Sequence, residues 1–181
     1  MGALRFKIAV EPEEFEQVHR LNYRTFVEEI PQHTPNHERR LVDKFHAENT
    51  YFIVLDAGQV VGMICARDTR PFSLDFKLGN LDSYLPPHSF ICELRLLAVA
   101  KNHRTPKVFQ GLMRAVADYC EKKGYDLAIG SGTTRQAKLY RHLGFTPFGP
   151  LVGNGDILFQ PMSITAERFR EWKNETMLLA E

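Results

Sequence analysis

With 181 residues, 44% of them hydrophobic and 25% charged, the chain suits one globular domain, 1–181, that buries its own core. Its net charge of +1 creates no field that favours nucleic acid or an anionic membrane, and no run approaches the roughly 20 apolar residues of a membrane span. Three widely spaced cysteines and an N-terminus without a long apolar run predict reduced thiols in a cytoplasmic protein.

The first half of the chain has the pattern of a strand, two helices and a hairpin. Residues 4–10 alternate weakly as a strand does, and residues 11–30 have the acidic first turn and broad apolar side of a helix. A second, short helix is predicted over residues 37–48. The continuous apolar run 50–55 and the strand 59–67 enclose a tight turn, which is the pattern of an antiparallel hairpin.

A long segment, residues 70–89, opens the second half and contains three prolines. A segment of that length is typical of a lid, a binding loop or a disordered stretch. The predicted elements after it are a strand over 90–100, a helix over 108–125, a strand over 126–132, a short helix over 135–145, a strand over 156–163 and a terminal helix from Thr165. This order predicts an α/β fold of the mixed kind, with a largely antiparallel central sheet and one β-α-β crossover.

Two motifs in the second half resemble those of a known family. LRLLAV at residues 94–99 is followed by NHR at residues 102–104, and AKLYRHLGF occupies residues 137–145. Together with the element order, they make the chain similar to the GNAT superfamily of acyl-CoA-dependent N-acyltransferases. The resemblance implies direct transfer of an acyl group, acetyl by default, from an acyl-CoA co-substrate to a primary amine of a small molecule or amino acid, without a metal.

The resemblance also implies where the acyl donor binds. Backbone groups at the end of the fourth strand would pair with the pantetheine amides, and the following turn and helix start would hold the phosphates. The residues implied are Leu97, Ala98, Val99, Arg104, Lys107, Val108 and Phe109. The family usually has small residues where Lys107 and Phe109 stand, so we expect weaker binding by backbone amides and a larger share for side-chain charge.

A looser similarity connects the chain to autoinducer (acyl-homoserine-lactone) synthases and long-chain N-acyl amino acid synthases. This similarity implies acyl carrier protein as the donor of the acyl group. Arg24, Phe26, Asp43 and Arg67 roughly occupy the positions of an Arg, a Phe, an acidic residue and a second Arg of that branch. Arg24, Arg67 and Arg95 are the predicted substrate-binding residues, holding an acceptor carboxylate or a donor phosphate. Surface arginines paired with nearby acidic residues are the alternative interpretation.

Two residues are candidates for proton transfer. Tyr140, in the second motif, occupies the place at which the family protonates the leaving thiolate, although a tyrosine there can also be a packed core residue. Glu93 lies in an apolar strand, where burial favours a general base. Arg95 shares its face of the strand, so a structural Glu93–Arg95 ion pair is the equal alternative.

Three functions remain open at this level. The first is an acyl-CoA-dependent N-acyltransferase, and the second is an acyl-carrier-protein-dependent synthase of a lipid-like N-acyl product. The third is a non-catalytic GNAT-like sensor, or one domain of a larger protein. His33 and His37 have a metal-like spacing, but without a third ligand they predict no metal site. The acceptor, the acyl chain length and the oligomeric state stay open.

Overall fold

The computed structural model describes residues 3–154 and 157–178. In that part of the chain the strands are β1 Arg5–Ile8, β2 Thr50–Asp56, β3 Gln59–Arg67, β4 Ile91–Val99, β5 Leu127–Thr133, β6 Thr146–Pro147, β7 Val152–Asn154 and β8 Ile157–Thr165. The α-helices are α1 Pro12–Tyr23, α2 Pro106–Lys123, α3 Ala137–His142 and α4 Ala166–Leu178. Most neighbouring strands are antiparallel, while β4 and β5 are parallel and joined through α2, which confirms the predicted mixed α/β fold.

The chain divides into two compact units. One comprises the residues up to Ala66 together with Leu96–Val116, and the other comprises Arg67–Arg95 together with the residues from Ala117 onward. Strand β4 and helix α2 each contribute residues to both units. The single domain 1–181 expected from the sequence stays a prediction.

In the first unit, β1 and β3 flank β2, and both pair with it in antiparallel register. The predicted hairpin turn joins β2 to β3 through Ala57 and Gly58, with φ of 49° and 81°. A two-residue hairpin turn with positive φ at both positions matches the right-handed twist of its strands. Val18 and Leu21 of α1 pack with Tyr51 and other hairpin side chains in the core of this unit.

Helix α1 begins with a capping box in which Glu11 and Glu14 each accept a backbone N–H of the other, and Pro12 is the first helical residue. It continues without a break into a π-helical segment, Arg24–Glu29. The prediction of a helix over residues 11–30 is therefore confirmed. Short π-helical segments are rare and often occur at functional sites. The local backbone geometry therefore makes this segment a candidate for part of a functional site.

The second predicted helix, residues 37–48, is wrong. The segment is irregular apart from a 3₁₀ turn at His46–Glu48. Its backbone bonds to a neighbouring element instead of to itself, since the Leu41 N–H donates to the carbonyl oxygen of His19 at 3.0 Å. Arg39 has φ of 50°, in the left-handed region that ends a right-handed helix. Tertiary contacts override a moderate helical propensity here.

In the second unit, β5 lies between β4 and β8, and the short strands β6 and β7 pair with β8. The predicted last strand is therefore confirmed, although Asp156, at its predicted start, lies outside the described residues. Residues 70–89 pack onto this sheet, and a 3₁₀ helix forms at Leu81–Tyr84. The segment contributes Phe72, Leu74, Leu78 and Leu81 to a core that also holds Leu127 and Ile129.

Candidate active site

The first half of β4 is bound closely to β5. Residues 91–94 pair in parallel with residues 127–130, and a Cβ on Gly130 would lie 2.8 Å from the Leu94 carbonyl oxygen. Two residues further on, Leu96 has φ of 57°. The left-handed conformation costs a non-glycine residue about 1–2 kcal/mol, and such residues concentrate at functional sites. The strand thus changes its local conformation directly before Leu97.

The predicted pantetheine-binding residues follow this irregularity, in the first unit. Ala98 is buried in the core of that unit, whereas Leu97 and Val99 are half-buried. Immediately after them, the Ala100 N–H donates to the Val61 carbonyl oxygen at 2.8 Å. The end of β4 is thereby fixed, and its last residues keep partial access to solvent.

Arg104, the predicted phosphate-binding arginine, is held at the end of β4. Its Nε donates to the Val99 carbonyl oxygen at 2.9 Å, and its Nη2 lies 2.6 Å from Glu29 Oε2, at the end of the π-helical segment. The Arg104 side chain is 47% exposed. An incoming phosphate can therefore reach this guanidinium, but it must compete with the Glu29 carboxylate.

The start of α2 is crowded, as the sequence predicts. Thr105 caps the helix, since its Oγ1 accepts the Val108 N–H at 3.4 Å and its carbonyl oxygen accepts the Phe109 N–H at 3.2 Å. Pro106 has no N–H to offer. The Val108 side chain is fully buried, that of Phe109 is half-buried and that of Lys107 is exposed. Two early amides of the helix therefore already have partners within the protein.

The three predicted substrate-binding arginines have different surroundings. Arg24 is exposed at the first position of the π-helical segment, and its side chain makes no hydrogen bond or ion pair within residues 3–154 and 157–178. Arg67 is only 2% exposed, and its Nη1 donates to the Pro71 carbonyl oxygen. Arg95 Nε lies 3.4 Å from Glu93 Oε2. The interpretation as a surface arginine therefore does not describe Arg67.

Glu93 is only 1% exposed, and donors surround its carboxylate. Its Oε2 accepts the Ser73 N–H at 2.8 Å, while its Oε1 accepts the Ser73 hydroxyl at 2.6 Å and the Leu74 N–H at 3.1 Å. Together with Arg95, these groups all lie in the second unit. The Glu93–Arg95 pair proposed as the structural alternative is therefore present, and it belongs to a larger network.

Tyr140 lies in α3 and packs its ring over Gly132 of β5. An added Cβ at Gly132 would overlap the ring, so only glycine fits there. Phe145 meets the ring edge-on, with centroids 5.9 Å apart. No described residue forms a hydrogen bond with the phenolic hydroxyl, and burial raises the pKa of Tyr140 to about 12. The phenol consequently stays protonated at neutral pH and has a proton to donate.

Three residues that contact the predicted site residues were not predicted from the sequence. Gly132 could have been found, because a glycine inside a strand often marks a close approach. Ser73 gives no such signal, since its bonds to Glu93 join positions 20 residues apart along the chain. The Glu29–Arg104 pair joins residues 75 positions apart and was equally invisible.

The described ranges contain neither a candidate metal site nor a candidate membrane-spanning helix. No group of three or more His, Cys, Asp or Glu side chains there could hold a metal ion. Within the same ranges, no helix is both long enough and apolar enough to cross a bilayer.

The sequence model of the Acetyltransferase (GNAT) family matches residues 15–145, which is more than half of the chain. The protein therefore belongs to the GNAT family and is an acyltransferase. The matched region includes the end of β4, the turn at Arg104 and the Tyr140 motif. A comparison with curated protein sequences found no significant match.

Solved structures with the same fold include synthases and acetyltransferases. The CoA-dependent acyl-homoserine lactone synthase BjaI, solved with SAM and isopentyl-CoA, is 22% identical, with 90% of this chain and 82% of that chain covered and a TM-score of 0.76. FeeM, an N-acyl amino acid synthase from uncultured soil microbes, is 18% identical, with 98% and 99% covered and a TM-score of 0.73. YncA, a putative acetyltransferase from Salmonella typhimurium solved with acetyl-CoA, is 15% identical, with 91% and 95% covered and a TM-score of 0.63. At these identities the likeness establishes the fold.

Proposed function

We propose that this acyltransferase moves an acyl group, acetyl by default, from an acyl-CoA thioester directly to a primary amine of a small molecule or amino acid. The observation that carries the proposal is Tyr140, which lies in the motif that resembles the family's late signature, packs its ring on Gly132 and has a hydroxyl without a hydrogen-bond partner among the described residues. Cytoplasmic acyl-CoA would supply the donor. Acyl-CoA is also present in two neighbours of the same fold, BjaI with isopentyl-CoA and YncA with acetyl-CoA.

The donor would bind in the first unit by its pantetheine arm and its phosphates. Backbone groups of Leu97, Ala98 and Val99 follow the left-handed Leu96 and are the proposed partners of the pantetheine amides. Arg104 and the exposed Lys107 are the proposed phosphate ligands, and the Val108 and Phe109 amides add a smaller contribution. A charge-assisted bond from a guanidinium to phosphate is roughly twice as strong as a neutral one, which offsets the crowded helix start.

The chemistry needs no nucleophilic side chain. The amine nitrogen attacks the thioester carbonyl carbon, the C–N bond forms and the C–S bond breaks. Tyr140 donates a hydrogen bond and then its proton to the departing sulfur, and the proton released by the acylated nitrogen restores the phenol. General acid assistance of this kind typically accelerates a reaction by about 10²–10⁴-fold.

The acceptor would be held by arginine. Arg24 is the proposed carboxylate ligand, because it is exposed and makes no ion pair in the described part of the chain. Its planar fork can bind a carboxylate by two parallel hydrogen bonds. Arg67 and Arg95 remain proposed substrate-binding residues, but Arg67 already donates to a carbonyl oxygen and Arg95 already has an ion-pair partner, so we expect smaller contributions from them.

A second candidate is transfer from acyl carrier protein, giving a long-chain N-acyl amino acid or an autoinducer-type product. The specific observations in its favour are the crowded start of α2 and the likeness to FeeM, which extends over 98% of this chain. A carrier protein presents one phosphate on the pantetheine arm and no nucleotide. Weak binding by backbone amides is a smaller disadvantage for such a donor.

A panel of donors and acceptors tests both candidates. Purified protein is incubated with acetyl-, isopentyl- or octanoyl-CoA, or with octanoyl-carrier protein, and with amino acids or S-adenosylmethionine as amines. Free thiol and N-acyl product are measured together, by a thiol reagent and by mass spectrometry. We expect amine-dependent thiol release from CoA with a matching N-acyl product. Release from the carrier protein alone would favour the second candidate, and no N-acyl product with any donor would contradict both.

A further inference from the structure

Residues 71–85, between β3 and β4 along the chain, form a segment of the second unit that is held in place by hydrogen bonds. We call this segment the insertion, and some of its hydrogen bonds end on Glu93 of β4. Phe72 and Leu74 of this insertion are completely buried, in the same core as Leu127 and Ile129 of β5. Ser73, between them, points back to β4. Both the N–H and the hydroxyl of Ser73 donate to the Glu93 carboxylate, at 2.8 and 2.6 Å.

A second set of bonds holds the rest of the insertion. Asp75 Oδ2 accepts the Phe72 N–H at 2.7 Å, and Asp75 Oδ1 lies 2.9 Å from Arg70 Nη1. The other terminal nitrogen of Arg70 pairs with Asp82. The insertion is thereby tied at its start and near its end. Its exposed aromatic side chains, Phe76 at 63% and Tyr84 at 42%, are presented on an anchored backbone.

Three protein donors and Arg95 surround the Glu93 carboxylate, which leaves it poorly suited to take a proton from an incoming amine. A general base needs a lone pair directed at the substrate proton within about 2.6–3.2 Å. A buried carboxylate with three hydrogen bonds has instead the environment of a structural anion, and removing it would leave the Ser73 and Leu74 amides without acceptors.

We propose that Glu93 is a positioning residue: its carboxylate fixes Ser73 and Leu74, and so holds residues 71–85 as a preformed wall for acceptor recognition. This wall lies beside Arg67 and Arg95, two proposed substrate-binding residues that contact Pro71 and Glu93. The acceptor is then selected by a shape already present in the free protein. The wall's role in acceptor recognition rests on the proposed function, whereas the anchoring of Ser73 and Leu74 by Glu93 does not.

The test compares Glu93→Gln and Ser73→Ala with Ser83→Ala. Gln replaces one acceptor oxygen of residue 93 by an NH₂ group, which would face an N–H donor of the insertion. Ser83 is the matched control, because it lies in the same insertion and its hydroxyl donates to the Asn80 carbonyl oxygen, away from Glu93. Amide exchange at residues 73 and 74, followed by NMR, reports the anchor without any turnover.

We expect exchange at both amides to accelerate about 10-fold or more in Glu93→Gln, by the loss of bonds to a charged acceptor. Ser73→Ala should accelerate exchange at residue 74, and Ser83→Ala should leave both amides unchanged. In turnover assays, Glu93→Gln and Ser73→Ala should raise the acceptor KM with kcat within about 3-fold, and the pH profile should keep its shape. Wild-type exchange in Glu93→Gln, or a loss of kcat by the 10²–10⁴-fold typical of a missing base, would overturn the proposal. A wild-type protein without turnover would contradict the proposed function and leave the exchange result decisive for the anchor.

Discussion

The two halves of strand β4 differ in what satisfies their polar groups. In residues 91–94, the strand pairs with β5 and the Glu93 carboxylate accepts three hydrogen bonds from the protein. In residues 96–99, the strand begins with the left-handed Leu96 and leads to Arg104, whose guanidinium is half exposed. The polar groups of the first half are occupied within the protein, whereas the second half leads to a guanidinium that keeps access to solvent.

This difference shows that charged residues near one strand can have very different access to a ligand. Glu93 and Arg104 both looked functional in the sequence, but one is saturated by internal donors and the other keeps access to solvent. Tyr140 resembles Glu93 in its fixed position, but its hydroxyl has no hydrogen-bond partner among the described residues.

The largest effect is expected at the contact that fixes Tyr140. Gly132→Ala would place a methyl group against the phenol ring, and overpacking of this kind typically costs about 1–3 kcal/mol. We expect the free energy of unfolding in urea to fall by that amount and thiol release to slow in parallel. In a Tyr140→Ala background, the same glycine substitution should cost less than about 1 kcal/mol, because the ring is gone. An equal cost in both backgrounds would mean that the ring does not confine Gly132.

A smaller effect is expected at the Glu29–Arg104 ion pair, which lies beyond the end of β4. Glu29→Gln removes the charge that competes with a donor phosphate for Arg104, and an exposed ion pair is worth at most about 1 kcal/mol. We therefore expect the Kd for CoA, measured by calorimetry at low salt, to fall about 2- to 5-fold.

Glu28→Gln is the matched control for this substitution. Glu28 is the neighbouring residue of the same π-helical segment, and it pairs with Arg39, 2.5 Å away, instead of with Arg104. Its replacement should leave the Kd for CoA within error of the wild-type value. Equal effects of the two substitutions would indicate a general charge effect and would remove Arg104 as the site of competition.

Much of the fold could be predicted because its signals are local. The hairpin turn at Ala57–Gly58 and the apolar runs of β2 and β3 are short-range patterns, and all are confirmed. The helix expected over residues 37–48 failed because the Leu41 N–H found its acceptor on another element, at His19. The spacing of apolar residues along a sequence contains no information about such a partner.

The candidate site likewise combines residues that local motifs identify with partners that only the fold brings near. Tyr140 and Arg104 lie in contiguous motifs that a family resemblance can supply, and their roles remain proposals. Ser73, which donates to Glu93, is 20 positions away from it along the chain. Glu29, which pairs with Arg104, is 75 positions away from it. Only the folded structure brings such residues together, so the choice between base and structural anion for Glu93 could not be made from the sequence.

The most direct test of the account is the rate of thiol release by Tyr140→Phe as a function of pH. Because burial raises the pKa of Tyr140 to about 12, the phenol of the wild-type protein should still be protonated at pH 10, where an ordinary tyrosine is about half ionised. We predict no loss of the wild-type rate between pH 8 and about pH 10 from ionisation of this residue, and a rate about 100-fold lower throughout for the variant. A Tyr140→Phe variant that is correctly folded and releases thiol at the wild-type rate would contradict the assignment of Tyr140 as the acid.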